Sequence, residues 1–328
     1  MDPAGHAGGP VNNGKGEQMM RIFRRILIIT LLAMLAATAA AEEEGEFRPL
    51  PIDLTGGAPY DAVYKNYLLL YEDPTIRVER TLRTKNKLVN REYYEVDIVI
   101  RDPSQIRTAA SEPTTFITER RVKADVIAKR VNAIFAMNGD YCGDFHGNES
   151  SKYILRQGTV FRDTVDKRLD MLLIDEDGDF HILPGGPELA DLDKTQVDGK
   201  KVINALQFGP GLIIDGVPAE DDYLMSDKHS PQFADPDGRE NRLCLAQVGP
   251  LHYKVIATRD GANMAQFKQL VLDIAPDCVN AYILDGGGST QLVFLGKKYN
   301  NANAQTNQAI RKLSDIVYFA SAWYREGE

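Results

Sequence analysis

Along most of the chain, apolar and β-branched residues come in short runs separated by Gly, Pro, Asn and Asp, the rhythm of strands and turns. Tyr93 to Ile100 alternates and stops before Asp102-Pro103, which predicts a strand. Met171 to Ile174 and Phe180 to Leu183 flank Asp175-Glu176-Asp177-Gly178-Asp179 and predict a hairpin; Leu243 to Val248 and Tyr253 to Thr258, joined through Gly249-Pro250, predict another. Two stretches change to helical spacing: Thr118 to Val131 sets Val122, Val126 and Val131 on one side, and Asn263 to Ile274 gathers Met264, Phe267, Leu270, Val271 and Ile274. Each leads into a short apolar run that ends in a polar loop, Asn132 to Met137 before Asn138-Gly139-Asp140 and Asn280 to Leu284 before Asp285-Gly286-Gly287-Gly288-Ser289. The recurrence points to two related halves offering loops to one cleft. The fold expected is α+β, a mixed β-sheet with flanking helices.

Composition narrows the class. The 328 residues are 43% hydrophobic and 26% charged, ordinary globular usage, which excludes a wholly disordered, collagenous or polytopic membrane protein. The formal charge of −9 hides a cationic start: Lys15, Arg21, Arg24 and Arg25 against Asp2 and Glu17 give residues 1–41 a local +2, so the remainder carries −11. Such an acidic body lacks general attraction for phosphate backbones, so no nucleic acid partner is expected and any phosphate must be met locally.

The first residues have the order of a secretory signal: Arg21, Arg24 and Arg25, the apolar run Ile26 to Ala41, then small residues before Glu42-Glu43-Glu44. That run is short of the roughly 20 residues that span a bilayer. Cleavage is expected near Glu42, with membrane attachment only if the signal is retained, and the location expected is secreted or cell envelope. Residues 1–41 are thus an upstream tail and signal, 42–60 an acidic, turn-rich linker, and 61–328 the domain. Export makes Cys142, Cys244 and Cys278 an odd set in an oxidising place, their spacing matches no zinc pattern, and buried thiols are the favoured reading.

Chemistry concentrates in the polar loops. Gly286, Gly287 and Gly288 permit positive φ and close approach of an anion, so their N–H groups, with Ser289 and Thr290, read as a phosphate or carboxylate nest behind Asp285. The plain alternative is a tight turn between apolar strands. In the other loop Asn138 and Asp140 stand out, followed by Cys142, Asp144, His146, Asn148 and Glu149; the last three read as solvated turn residues. Arg242 opens a strand in an acidic chain and suits a phosphate or carboxylate, while Arg156, in an apolar strand that runs into a Gly turn, reads as scaffold. Asp175 to Asp179 lacks the glycine and glutamate positions of a calcium loop. No nucleophile elbow or His-Glu-x-x-His is present, and His181, His229 and His252 show no base partner in sequence.

Asn138-Gly-Asp-Tyr141, Phe208-Gly-Pro-Gly-Leu212 with Asp215-Gly216, Arg242 before a hairpin that closes at Arg259-Asp260-Gly261, and Leu284-Asp285-Gly-Gly-Gly-Ser289-Thr290 occur in an order that resembles the phosphodiester glycosidase family, over roughly Tyr93 to Trp323. The resemblance implies a glycoside hydrolase that cleaves the anomeric carbon-oxygen bond of a sugar-1-phosphodiester. Arg242 and the loop N–H groups would hold the departing phosphate, Asp285 or Asp140 would support the oxocarbenium-like carbon or activate water, and Asn138 would complete the catalytic set. The partner implied is a carbohydrate phosphodiester such as an envelope polysaccharide. Two alternatives stay open: calcium or magnesium on Asp140, Asp285 and Asn138, and a noncatalytic module that binds envelope glycans or anionic polymers.

Overall fold

The computed structural model describes residues 45–58, 68–140, 152–226, 229, 234–300 and 309–325, so the signal and Cys142, Asp144, His146, Asn148 and Glu149 lie outside it. The body Glu46–Tyr324 is mainly β, which corrects the expected α+β class with its mixed sheet. Among the described residues α-helix is confined to Ala124–Arg130, Asp221–Leu224 and Met264–Ile274, and all strand pairings are antiparallel.

The largest sheet runs Val217–Pro218, Gly211–Ile214, Asn280–Leu284, Leu243–Gly249, His252–Thr258, Arg91–Ile100, Ile76–Arg80, Leu70–Asp73, with Thr84–Asn86 also paired to Arg91–Ile100. Both predicted hairpins form, with Leu243 opposite Ala257 and Ile174 opposite Phe180. A five-stranded sheet runs Lys297–Lys298, Leu292–Phe294, Ala133–Asn138, Asp315–Ala320, Ile106–Ala110. Its central strands are buried along their whole length, and their sequences accordingly show unbroken apolar runs rather than alternation. A third sheet orders Phe180–Leu183, Met171–Asp175, Lys200–Leu206, Ile154–Arg156 and Thr159–Arg162, with Gln196–Val197 on Lys200–Leu206.

The main core forms where Val78, Val96, Ile98, Leu245 and Val255 of the first sheet meet Phe135, Met137, Val317 and Phe319 of the second. Outer faces are covered by helices. Met264, Phe267, Leu270 and Val271 pack on Cys244, Ile256 and Ile283, and Ala124, Ile127 and Ala128 pack with Ala136, Ile316 and Tyr318. The first helix is much shorter than the stretch Thr118 to Val131 that the spacing predicts. Val122 is drawn into an extended bridge with Leu313, and its N–H and C=O are both spent there. The helix starts after that bridge, and the Ala124 N–H donates to Gln291 Oε1 at 3.1 Å in place of a local cap.

Other expectations change at close range. His181 meets Asp175 Oδ2 at 3.0 Å and His252 meets Asp97 Oδ1 at 2.9 Å, carboxylate partners that their sequence context did not show, and the His229 ring stands edge-on to Tyr223. The acidic turn after Met171–Asp175 is filled by the Lys200 ammonium, 3.0 to 3.5 Å from Asp175, Asp177 and Asp179. Residues 46–58, read from composition as linker, are held: Glu46–Phe47 pairs with Trp323–Tyr324, and Leu50 and Ala58 are buried. Cys244 and Cys278 are buried free thiols; burial pushes Cys278 up to about 12 and Cys244 higher still, which makes them inert at neutral pH. No helix among the described residues is long and apolar enough to cross a membrane.

Candidate active site

The polar loops singled out in the sequence leave strands of different sheets and meet. Ala133–Asn138 is the middle strand of the five-stranded sheet, and Asn280–Leu284 lies within the largest one. Asn138, fully buried, joins their ends: its Nδ2 donates to the Asp285 carbonyl at 2.7 Å, and its Oδ1 accepts the Gln291 N–H at 3.2 Å. Both directions of the amide are used, so Asn138 acts as a clasp between the loops. Gln291, directly after the loop, extends the clasp through Nε2 to the Arg311 carbonyl at 2.9 Å, and Asn300 Nδ2 donates to the Thr290 carbonyl at 2.9 Å.

The glycine loop is a 3-10 turn over Gly287–Ser289, with Gly287 at φ +57°. The N–H groups of Gly287, Ser289 and Thr290 donate to the carbonyls of Asn241, Gly286 and Gly287 at 2.8, 3.0 and 3.3 Å. An open nest over the whole loop is therefore corrected: of the glycine and serine N–H groups named from sequence, Gly286 and Gly288 are the two not engaged among the described residues. Glycine is demanded at 286 for another reason, since a Cβ there would lie 2.3 Å from the Asn241 carbonyl oxygen. The loop is thereby laid directly on the chain leading into Arg242.

Arg242 precedes the Leu243–Gly249 strand, whose first residue pairs with Leu284. Its side chain is buried and its Nε donates to the Ala262 carbonyl at 3.0 Å. Burial lowers its pKa to about 10, against the pull of Glu240 and Asp235, and the guanidinium remains charged at neutral pH. Asp285, at the end of the neighbouring strand, is also buried.

Asp140 is buried on the other loop and forms an ion pair with Arg156 of the third sheet. The same Arg156 Nη2 reaches Asp315 Oδ2 at 3.3 Å. Neither Arg156 nor Asp315 was singled out as a site residue. Asp315 lies at a strand start where no turn or motif draws attention, and Arg156 sits inside an apolar strand; only its charge at a position expected to be buried could have flagged it. Burial raises the Asp315 carboxyl to about 6, although Arg156 and the Asp140 N–H act in the opposite direction. Of the donors named for a metal, the Asp140 carboxylate pairs through Oδ2 with the Arg156 guanidinium and the Asn138 oxygen accepts an amide N–H. Among the described residues no three His, Cys, Asp or Glu gather as ligands.

The comparisons agree with one another. The family model for phosphodiester glycosidase matches residues 131–320. Among solved structures, the zebrafish N-acetylglucosamine-1-phosphodiester alpha-N-acetylglucosaminidase catalytic domain, auto-inhibited by its pro-peptide, aligns over 87% of this chain and 90% of its own, with TM-score 0.58 and 16% identity. A hypothetical protein from Synechocystis aligns over 76% of this chain and 62% of its own, with TM-score 0.50 and 13% identity. No curated protein sequence matches. At these identities the structures show a shared fold, while the family model, which covers more than half of the chain and contains both loops and Arg242, shows the kinship: the chain belongs to the phosphodiester glycosidase family.

Proposed function

We propose that the chain is an exported hydrolase that cleaves the anomeric carbon-oxygen bond of a sugar-1-phosphodiester. Water adds to the anomeric carbon, the bond electrons leave on the phosphate oxygen, and the products are the free sugar and a phosphomonoester. The second pKa of that monoester is near roughly 6, so the leaving group needs little protonation and anion stabilisation carries more of the barrier. Arg242, with the N–H groups of Gly286 and Gly288, holds the departing phosphate, and the Ser289 and Thr290 side chains complete its surroundings. Asp285 takes the proton of the attacking water. Asp140, ion-paired with Arg156, supports positive charge as it develops on the anomeric carbon.

The Asn138 clasp is the observation that carries this reading, because it puts Asp285 and the Asp140 loop at one place, with Arg242 on the adjoining strand. A panel of sugar-1-phosphodiesters with product identification tests it. Free sugar and phosphomonoester should form, and Asp285→Asn should remove most of the turnover while the protein stays folded. Binding without turnover across the panel, or near-normal turnover by folded Asp285→Asn, would overturn it. Export rests on the order of residues 20–44, and mass spectrometry of exported material should find an N-terminus near Glu42.

A further inference from the structure

We propose that Arg156 and Asp315 are positioning residues that hold Asp140 in its working orientation, an inference that rests on the reading of Asp140 as the carboxylate supporting the reacting carbon. The three side chains are almost completely withdrawn from solvent, and they come from different places: Asp140 from the loop after Ala133–Asn138, Asp315 from the neighbouring strand Asp315–Ala320, and Arg156 from the third sheet. Arg156 is fixed from behind by its own scaffold. Its Nη1 donates to the carbonyls of Leu155, at 3.2 Å, and of Ala205, while its guanidinium lies 5.6 Å from the centre of the Phe116 ring. Its Nη2 is then shared between the Asp140 and Asp315 carboxylates.

Asp315 grips the same loop by its backbone. Its carboxylate accepts the Asp140 N–H, and its carbonyl accepts the Gly139 N–H at 3.4 Å. The approach is close enough to dictate the residue between Asn138 and Asp140, because a Cβ at Gly139 would lie 2.5 to 2.7 Å from the three carboxylate atoms of Asp315. Asp140 is therefore held at both ends of its side chain: the main chain by Asp315, the carboxylate by Arg156. A buried cation between two carboxylates costs solvation that an apolar trio would not, and it adds directional restraint on a loop that otherwise follows an apolar strand. A misplacement of the order of an ångström at a reacting centre is enough to cost roughly a hundredfold in rate, which is what such restraint prevents.

The test compares Asp315→Asn, Arg156→Lys, Asp140→Asn and the double variant Asp140→Asn/Asp315→Asn, each with a thermal melt beside kcat and KM on a turned-over sugar-1-phosphodiester. Asp315→Asn should fold, since burial disfavours the ionised carboxyl it replaces, and should lose roughly ten- to a hundredfold in kcat with KM within about twofold. Arg156→Lys keeps the charge but cannot bridge two carboxylates and two carbonyls, and should show the same split. Most telling is the cycle: adding Asp315→Asn to Asp140→Asn should produce no further loss, because the residue acts through Asp140. Near-normal kcat in folded Asp315→Asn beside an inactive Asp140→Asn would overturn this inference alone. Losses that multiply in the double variant would also overturn it, and an active Asp140→Asn would remove both the inference and the role given to Asp140.

Discussion

Asp315 supplies a pH dependence whose sign follows from its surroundings. Burial raises its carboxyl from the ordinary 3.8 to about 6, so the folded protein binds this proton more tightly than the unfolded chain does. Its favourable contribution is complete below the unfolded value and is lost as pH rises through about 6. Asp315→Asn, a permanent neutral mimic, should therefore gain stability relative to the parent between pH 4 and 7 by up to about 3 kcal/mol, a shift of about two units at 1.36 kcal/mol each. Urea titrations of both proteins across that window check this, and a constant difference would show that the carboxyl does not titrate there. At this scale Asn138, Asp140 and Asp285 stand out in the sequence as candidates, because a polar residue straight after a buried apolar run has few structural reasons to be there, and the structure finds all three buried. Arg156 and Asp315 do not stand out, because their partnership spans 159 positions and no spacing rule links them.

Single elements were legible where their determinants are local. The helix Met264–Ile274 is the clearest case: Asn263 Oδ1 accepts the Gln266 N–H at 2.8 Å, and Gln266 Oε1 accepts the Asn263 N–H at 3.3 Å, so the start is written within four residues. Asn263→Ala should cost about 1 kcal/mol, read as a lower urea midpoint with unchanged slope, and leave KM alone, since Asn263 caps the helix that packs on the outer face of the sheet. An unchanged midpoint would mean that neither the cap nor the Asn263 Nδ2 bond to the Pro236 carbonyl, both lost in the variant, holds the helix start, and that the packing of Met264 and Phe267 does so. The first helix was drawn too long because its start depends on Leu313 and Gln291, far along the chain. Hairpins were legible for the same reason of proximity: the turn fixes the register of Met171–Asp175 on Phe180–Leu183. The strand rhythm was legible, but the all-antiparallel pairing was not, because it joins strands far apart in sequence, such as Ala133–Asn138 with Asp315–Ala320, that no turn connects.

The whole molecule is closed by contacts that no local pattern announces, and the first described residues show how. Composition marks 42–60 as an acidic, turn-rich linker, yet Arg107 grips its described part, 46–58, from the five-stranded sheet. Its Nη1 donates to the Pro51 carbonyl at 2.9 Å and the Ser104 carbonyl at 3.2 Å, its Nη2 to the Asp53 carbonyl at 3.0 Å, and its Nε to the Tyr318 hydroxyl at 2.9 Å. The Leu50 N–H donates to Ser104 Oγ at 2.9 Å, and Leu50 and Ala58 enter the cluster that also contains Ile127, Ile316 and Tyr318. A guanidinium meets four acceptors in a plane; a lysine ammonium at the same site has three donors and no fork, so Arg107→Lys leaves buried carbonyls unserved. It should lower stability by roughly 1 to 3 kcal/mol, and native-state proteolysis should then cut within 46–58 before the rest of the body opens. Because Arg107 lies outside the loops that carry Asp140 and Asp285, kcat of the folded fraction should be preserved. If Arg107→Lys leaves both the urea midpoint and the cleavage rate of 46–58 unchanged, the arginine does not hold this segment, and the strand pair Glu46–Phe47 with Trp323–Tyr324 must do so by itself.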